Sequence, residues 1–551
     1  MNVRCVCKWC LVASLAVQGT NLGLHKVISA PPGQVAAEVG AQVLTRGPVH
    51  EAFAETVTFD PLPGIVVPKA PPAAIEELPP GQKPVGGNVA WIPGYWGWDD
   101  ERSDFLWVSG IWRDLPPGRQ WVPGYWGKSA QGFQWTSGYW AGAKVTEVQY
   151  LSEPPATVEA GPNIAAPSPD NIWLPGCWMW QQNRYVWRPG FWAGAQPDWD
   201  WVPAHYVWAP RGYVFVDGYW DYSIGRRGVL FAPVYFRGGA YNRPGFSYSP
   251  ATVIDLGVFA NHLFLRPQYQ HYYFGDYYAA NYQTAGYYPS YSYNSGRFGY
   301  DPIFAHERWQ HRQDSLWDRR VAADFQNRRD HEEARPPQVW TGQGIAIGGG
   351  GIANAVRNLV GASLDEAARD TSGAWRFQPV DQAEQQKLAQ QRQDVYRFRD
   401  QRQQWEANAT VPPAPDPANR GEPARMRIPP SPIVAKSADQ LGKDHTPPQA
   451  HAAPPLDTVV QPKPRANRSP EQPQQRTVNR LPLDAQQPPA NVPQPKIDRP
   501  SLQPQPQPHT ERPAPQPQPQ PRVERPAPQA PAGGPVAGTN QDKHKEKGND
   551  K

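Results

Sequence analysis

The sequence has little cysteine and distributes it unevenly. Four cysteines occur in 551 residues, and Cys5, Cys7 and Cys10 lie within the first ten. We predict a signal peptide over residues 1–30, which would remove these three cysteines when it is cleaved. Cys177 would then stand alone, which excludes an intramolecular disulfide framework. We interpret Cys177 as a small apolar strand residue; the alternative is an intermolecular disulfide in an oxidising compartment.

The sequence also lacks a long apolar run and a strong net charge. The apolar stretch from Trp9 to Val17 follows Arg4 and Lys8, which is typical of a secretory signal and too short to span a bilayer. We therefore expect an exported protein of the periplasm, cell envelope or extracellular space, with no transmembrane span after cleavage. A formal net charge of +4 gives no broad basic field, so nucleic acid is a poor candidate partner.

Motifs for catalysis, cofactors and metals are missing as well. His306 and His311 are five residues apart, whereas a zinc-protease helix needs a spacing of four, so we predict surface histidines. The glycine run 342–351 lacks the Lys-Ser/Thr pair of a phosphate-binding loop and is interpreted as a hinge. Carboxylate pairs, such as Asp198 with Asp200, are expected in turns. The sequence thus predicts no enzyme activity, no cofactor and no metal site.

Tryptophan, in contrast, is abundant and periodic. Of 24 tryptophans, 18 lie between Trp91 and Trp220, in a phrase that reads Trp, any residue, Pro or Ser, Gly, an apolar or aromatic residue, Trp. The copies that begin at residues 107, 121 and 135 are 14 residues apart, as are those that begin at 173, 187, 201 and 215, and a fixed period indicates a repeated architecture. The clear copies supply a possible aromatic platform and a set of repeat glycines: Trp91, Trp96, Trp107, Trp112, Trp121, Trp126, Trp135, Trp140, Trp173, Trp178, Trp187 and Trp192, with Gly94, Gly110, Gly124, Gly138, Gly176 and Gly190.

Each repeat is predicted to be one antiparallel strand with a turn, and sequential strands are predicted to pair as a β-meander. The glycine would leave room for a cross-strand indole to lie over its backbone. The proline predicts a bulge or kink, and a type II turn at Pro-Gly is the alternative. Turns are expected at 99–103, 116–118, 128–132 and 181–183. The two blocks would pack on each other or form one curved sheet.

The rest of the chain divides by composition. We predict a Pro/Ala-rich linker over residues 31–88, with one short edge strand, and the repeat β-domain over 89–240. A Tyr-rich strand or loop segment follows over 241–302, then a helical, Gly-hinged segment over 303–410. Residues 411–551 are Pro/Gln-rich and predicted to be disordered. The fold class is therefore mainly β, antiparallel and rich in Trp, followed by helices and a long disordered tail.

Two helices are expected within the helical segment. Trp317, Val321 and Phe325 are spaced by four in the first. The second, over residues 381–405, carries a short heptad-like seam of Leu388, Val395, Phe398 and Trp405. This seam predicts a coiled-coil contact and possible self-association.

The phrases Trp91-Ile92-Pro93-Gly94-Tyr95-Trp96 and Trp121-Val122-Pro123-Gly124-Tyr125-Trp126 resemble the YXWGXW (also written WXXGXW) repeat family of bacterial envelope proteins. The resemblance covers about a quarter of the chain. It implies an exported bacterial protein with no known catalytic residues. The copy at residues 201–206 departs from the pattern, since it has lost both the glycine and the closing tryptophan.

We therefore expect a non-enzymatic, exported structural or scaffolding protein of the cell envelope, with envelope or cell-wall components as partners. The alternative is a carbohydrate-binding module for polysaccharide or cell-wall glycan. Exposed Trp and Tyr faces would stack on sugar rings while nearby acids bind the hydroxyls.

Overall fold

The computed structural model describes residues 40–295, 297–338, 361–370, 375–407, 423–437, 440–441 and 446–448. One compact unit contains all of them. The predicted signal peptide, the glycine run 342–351 and most of the Pro/Gln-rich tail lie outside the described residues.

The repeats form four antiparallel hairpins, and each hairpin is built from two copies of the phrase. They span residues 89–114, 119–142, 171–194 and 199–222 and are named the first to fourth hairpins. Each arm is divided into two short strands. The strands next to the turn pair with each other and form the turn-end ladder; the strands farther from the turn pair with each other and form the open-end ladder. Their strands are β7 (Val89–Ile92), β8 (Tyr95–Asp99), β9 (Asp104–Val108), β10 (Ile111–Asp114), β11 (Arg119–Val122), β12 (Tyr125–Ser129), β13 (Gly132–Thr136), β14 (Tyr139–Gly142), β16 (Asn171–Leu174), β17 (Cys177–Gln181), β18 (Arg184–Arg188), β19 (Phe191–Gly194), β20 (Trp199–Val202), β21 (His205–Ala209), β22 (Gly212–Val216) and β23 (Tyr219–Tyr222).

The division of each arm falls on the Pro-Gly or Ser-Gly pair. In the first hairpin, the ladder stops at Ile92 opposite Ile111 and resumes at Tyr95 opposite Val108. The described repeat glycines do not have positive φ angles, which a type II turn would require. The interruption is therefore the predicted kink, and the type II turn does not form.

Tryptophans face each other across both ladders of a hairpin. Trp91 lies opposite Trp112 and Trp96 opposite Trp107, with ring centroids 5.2 and 5.1 Å apart and the rings edge to face. Such aromatic pairs add about 0.5–1.5 kcal/mol beyond the area they bury. The other hairpins repeat the arrangement with the pairs Trp121–Trp140, Trp126–Trp135, Trp173–Trp192, Trp178–Trp187 and Trp201–Trp220.

The antiparallel hairpins and the helices that follow them confirm the predicted fold class, but consecutive hairpins do not join into a continuous meander. Residues 116–118 connect the first hairpin to the second, and β10 pairs with β24 (Gly228–Val229) and β7 but not with β11. An arm interrupted after four or five residues offers no long edge for the next hairpin. Strands from outside the repeats pair with some of the hairpin edges instead.

The described part of the predicted linker, residues 40–88, differs from an extended spacer. It passes between the hairpins and is partly buried; Phe53 and Glu77 are fully buried. Its backbone forms short strands with later parts of the chain, which composition alone does not reveal. These are β1 (Ala41–Val43), β2 (Gly47–Pro48), β3 (Val57–Thr58), β4 (Val66–Val67), β5 (Glu76–Glu77) and β6 (Gln82–Pro84).

The tyrosine-rich segment contributes to the core and is not a long loop. β28 (Leu263–Arg266) and β29 (His271–Phe274) form a hairpin, and Tyr272 within β29 is buried, as is Tyr293. Tyrosine rings here fill space as other aromatics do, with hydroxyls bonded to buried acids such as Asp301. The remaining strands are β15 (Glu147–Leu151), β24, β25 (Val234–Phe236), β26 (Ser247–Tyr248), β27 (Thr252–Ile254), β30 (Tyr288–Pro289), β31 (Gly299–Tyr300), β32 (Gly361–Ser363), β33 (Phe377–Pro379) and β34 (Ala424–Arg427).

The long helices lie where the periodicity predicts them. In the heptad-like seam of the last helix, Leu388, Val395 and Phe398 are buried and Trp405 is half-buried. They pack in clusters with hairpin residues of the same chain, so this contact is intramolecular. Within the tail, residues 424–427 form β34, which pairs with β15. The described helices include none that is long and apolar enough to cross a membrane. The described α-helices are α1 (Leu256–Phe259), α2 (Ala280–Thr284), α3 (Ser290–Tyr293), α4 (Pro302–Gln310), α5 (Trp317–Asp330), α6 (Leu364–Arg369) and α7 (Gln382–Ala407).

Candidate functional site

The interruption in each hairpin forms a narrow feature that we call the waist. In the first three hairpins the glycines of the two paired copies lie here, each under the first tryptophan of the opposite copy. A Cβ added at Gly124 would lie 2.6 Å from Cζ2 of Trp135, and one at Gly138 would lie 2.6 Å from Cζ2 of Trp121. The tryptophan and the glycine of the motif are therefore two sides of one contact, as the sequence predicts.

The waist of the first hairpin binds a carboxylate. The backbone N–H groups of Gly94 and Gly110 donate to the two oxygens of Glu77, at 2.7 and 2.9 Å. The indole Nε1–H of Trp107 donates to the same carboxylate at 2.9 Å. These glycine N–H groups have no partner in the interrupted ladder, so the carboxylate satisfies buried donors that would otherwise be costly. Burial raises the pKa of Glu77 to about 7, and the donated hydrogen bonds oppose that rise.

The second hairpin holds Glu51 in the same position. The N–H of Gly124 donates to Oε1 at 2.9 Å, and the N–H of Gly138 also donates to this carboxylate. The hydroxyl of Ser137 donates to Oε2 at 3.2 Å. Burial raises the pKa of Glu51 to about 7. The hydrogen bonds and the charge of Arg402 act in the opposite direction and lower this pKa.

The third hairpin binds Glu159, which comes from the connector between the two blocks. The N–H of Gly176 and the indole Nε1–H of Trp173 both donate to its carboxylate, the latter at 3.2 Å. The connector also folds back on itself here, since the N–H of Gly161 donates to Oε1 at 2.8 Å. Three hairpins thus have a glutamate from outside the repeats at the waist.

The fourth hairpin keeps its shape but changes this chemistry. Ala204 replaces one glycine, and Glu55 lies at this hairpin with different partners. Its carboxylate accepts from the hydroxyl of Tyr219 at 2.8 Å and contacts Nε2 of His205 at 3.1 Å. The loss of the glycine at residues 201–206 is therefore accompanied by a loss of the paired N–H arrangement.

Burial of the tryptophans differs among the hairpins. In the first two, the rings of Trp91, Trp107, Trp112, Trp121 and Trp140 are almost wholly buried. In the third hairpin the four repeat tryptophans, at 173, 178, 187 and 192, are only half-buried. A platform formed by all the repeat tryptophans is therefore not available to a ligand, and the third hairpin is the accessible part.

A cleft of about 830 Å³ lies beside the third hairpin. Trp173 and Trp192 line one side, and Trp309 and Trp317 from α4 and α5 line the other. Arginine, histidine, aspartate and serine side chains complete the wall, together with Glu159 at the waist. This combination of aromatic faces and polar groups is typical of ligand sites.

His306 and His311, whose spacing does not fit a zinc-protease helix, have different environments. His306 is buried, contrary to the predicted surface position, and its Nδ1 lies 2.8 Å from Asp200. That contact raises the pKa of His306 against the effect of burial. Asp200 lies in β20 rather than in a turn, and it also accepts from Arg227 at 2.7 Å. His311 is exposed and stacks on Trp317. The described residues contain no group of three or more side chains suited to hold a metal.

Cys177 is a strand residue in the turn-end ladder of the third hairpin. It is buried and unpaired, and its Sγ donates to the carbonyl of Trp178. Burial raises the pKa of its thiol to about 12, so the reactive thiolate is scarce at neutral pH. This environment favours the interpretation as a small apolar residue.

Sequence reasoning missed the waist glutamates because they lie in segments that composition assigns to linkers. A signal was present. Glu77 precedes Trp91 by 14 residues, and Glu159 precedes Trp173 by 14 residues, which is the repeat period itself. Each glutamate also follows a Pro-Pro-Ala sequence, at residues 71–73 and 154–156. A search for the period outside the tryptophan phrase could have found both.

Comparison with known proteins bears on the repeats alone. Residues 88–113, 172–193 and 197–221 match the family model described as the WXXGXW repeat, and these segments coincide with the first, third and fourth hairpins. No curated protein and no solved structure matches the chain. The resemblance of the tryptophan phrases to the WXXGXW repeat family is therefore confirmed, and the chain contains WXXGXW repeats over these segments.

Proposed function

We propose that this protein is a non-enzymatic structural component of the bacterial cell envelope, exported by its N-terminal signal. The observation that carries the proposal is the use of the repeat aromatics. In the first and second hairpins the indoles pack against each other around buried glutamates, and in the fourth Trp201 and Trp220 are buried against each other. This packing makes a stiff body and leaves few of these rings free for a ligand. A rigid body with a long Pro/Gln-rich segment suits a scaffold that spans a distance.

Cell fractionation tests this proposal. The full-length protein, expressed with a C-terminal tag in a bacterial host, is expected in the envelope or periplasmic fraction. Mass spectrometry of its N-terminus is expected to show that the leader has been removed. Recovery in the cytosol with residues 1–30 still attached would contradict the proposal.

A second candidate function is glycan binding, and the cleft beside the third hairpin favours it. Half-buried indoles offer ring faces for stacking on sugars, and Arg308 and Asp318 at its wall are exposed polar groups for hydroxyls. A glycan array with the full chain tests it. Saturable binding that is lost in Trp317→Ala and kept in Leu316→Ala, whose side chain is exposed and does not line the cleft, would support it. Absence of binding to any polysaccharide would reject it.

A further inference from the structure

Two segments outside the repeats lie across two hairpins in the same manner, and we call them straps. The first strap, residues 71–82, lies on the first hairpin; the second, residues 154–164, lies on the third. Their sequences begin alike, with Pro-Pro-Ala-Ala-Ile-Glu-Glu in the first and Pro-Pro-Ala-Thr-Val-Glu in the second. Each strap supplies the glutamate at the waist.

Indole N–H groups fix three points along each strap. On the first hairpin, Trp96 donates to the carbonyl of Ala73 at 2.9 Å, and Trp112 donates to that of Gln82 at 3.1 Å. Trp107 donates to the carboxylate of Glu77 between them.

The third hairpin repeats this pattern on the second strap. Trp178 donates to the carbonyl of Ala156 at 3.2 Å, and Trp192 donates to that of Ile164 at 3.0 Å. An indole again donates to the carboxylate between them, but it is Trp173 of the first arm, whereas Trp107 lies in the second arm of its hairpin. Trp178 and Trp192 occupy the repeat positions of Trp96 and Trp112, so equivalent indoles bind equivalent points of the two straps.

The two straps differ in how firmly the rest of the protein holds them. In the first, Ile75 is buried in the core, β5 pairs with β26, and Arg392 of α7 donates to the carbonyl of Glu77 at 2.6 Å. In the second, Val158 is 57% exposed, and within the described residues no strand pairs with residues 154–164. Few buried contacts give a segment a low local opening free energy.

We propose that a WXXGXW hairpin is a binding site for a proline-flanked, glutamate-containing peptide, and that the third hairpin accepts such a peptide from another polypeptide in place of its own strap. In the third hairpin the N–H of Gly176 and one indole bind the carboxylate, and two further indoles bind backbone carbonyls. Proline keeps the incoming segment extended, which lowers the entropy lost on binding. This interaction site is independent of the proposed envelope function.

A peptide titration tests the proposal with the full-length chain. The probe is a synthetic peptide of residues 153–164 with blocked ends, and the control peptide carries Gln in place of its glutamate at position 159. The receptor is the Glu159→Ala chain, whose waist has lost its own carboxylate. Tryptophan fluorescence is expected to show saturable binding at least tenfold tighter for the glutamate peptide, since hydrogen bonds to a charged acceptor are stronger than those to a neutral amide.

The unmodified chain is expected to bind the same peptide at least tenfold more weakly, because its own strap competes. Trp178→Phe in the Glu159→Ala background keeps an aromatic ring, removes one indole N–H, and is expected to weaken binding several-fold. If Glu159→Ala does not fold, the Glu159→Gln chain serves as the receptor. Equal affinity for both peptides, or no binding by either chain, would overturn the proposal.

Discussion

The guanidinium of Arg113 donates two hydrogen bonds to the carboxylate of Asp221, at 2.5 and 2.6 Å, with both side chains buried. Arg113 lies in the first hairpin and Asp221 in the fourth, so the pair joins the two repeat blocks. Arg227 adds a contact to Asp221 at 3.3 Å and links it to Asp200. A buried charge that loses its partner is costly, which makes this pair a sensitive point of the fold.

We expect Arg113→Ala to lower the free energy of unfolding by about 3–5 kcal/mol, because it leaves Asp221 less well compensated. Arg425→Ala is the control, since Arg425 and Glu147 form an exposed pair whose loss should cost under about 1 kcal/mol. Urea denaturation followed by tryptophan fluorescence measures both. Similar midpoints for the two variants would show that the buried pair does not join the blocks as described.

The glycine requirement at the waist can be tested within one hairpin. A Cβ at Gly190 would lie 2.4 Å from Cζ2 of Trp173, whereas one at Gly194 would have no heavy atom within 4 Å. Gly190→Ala is therefore expected to destabilise by about 1–3 kcal/mol, as overpacking does. Gly194→Ala is expected to change stability by under about 1 kcal/mol. Equal effects on the urea midpoint would contradict the contact between glycine and tryptophan.

Acid should destabilise the protein through buried neutral histidines. Burial lowers the pKa of His50 to about 3, and its ring contacts the carbonyl of Pro93 and the N–H of Ala52. The unfolded chain binds this proton near pH 6.5, so the stability is present above pH 6.5 and is lost as the pH falls toward 3. Burial also lowers the pKa of His262 and His271.

The variant His50→Gln isolates one of these contributions. Between pH 6 and 4, the slope of unfolding free energy against pH should decrease by up to about 1.4 kcal/mol per pH unit relative to the unmodified chain. Urea titrations at half-unit intervals measure the slope. An unchanged slope would mean that His50 is protonated in the folded protein.

The thiol of Cys177 should be inert in the folded protein, because it is buried and its pKa is raised to about 12. Alkylation with iodoacetamide at pH 8, followed by peptide mapping, is expected to leave the Cys177 peptide unlabelled until denaturant is added. Rapid labelling of the native protein, or a disulfide-linked dimer on a non-reducing gel, would favour the intermolecular disulfide instead.

The sequence predicts the repeats well because their information is local. The 14-residue period, the kink at Pro-Gly and the indole over Gly124 all follow from the phrase itself. The helix seam at Leu388 is also local, and it is predicted correctly as an apolar face. The surface that covers this seam is not predicted, since no local pattern indicates that hairpins of the same chain will pack on it.

The straps were not predicted because their ordered structure depends on contacts with residues that are distant in the sequence. Residues 71–77 contain prolines and alanines that give no strand or helix pattern, and they become ordered through indoles up to 30 residues away. The tyrosine-rich segment is similar, because Tyr272 is buried only once Asp301 and the neighbouring strands surround it. Amino-acid composition indicates that such segments tend to be disordered in isolation. It does not show the distant residues whose contacts order them in the folded protein.

The first three hairpins fold around buried carboxylates, and the adjacent residues Glu76 and Glu77 allow the most direct test of this arrangement. Glu77 is fully buried at the waist, whereas the side chain of Glu76 is 56% exposed and its Oε1 lies 3.3 Å from Nη2 of Arg392. Urea denaturation at pH 8, above the pKa of about 7 for Glu77, compares Glu77→Gln with Glu76→Gln. We expect Glu77→Gln to cost about 2–4 kcal/mol, since an amide places N–H groups against N–H donors, and Glu76→Gln to cost under about 0.5 kcal/mol. Equal stability of the two variants would contradict the account.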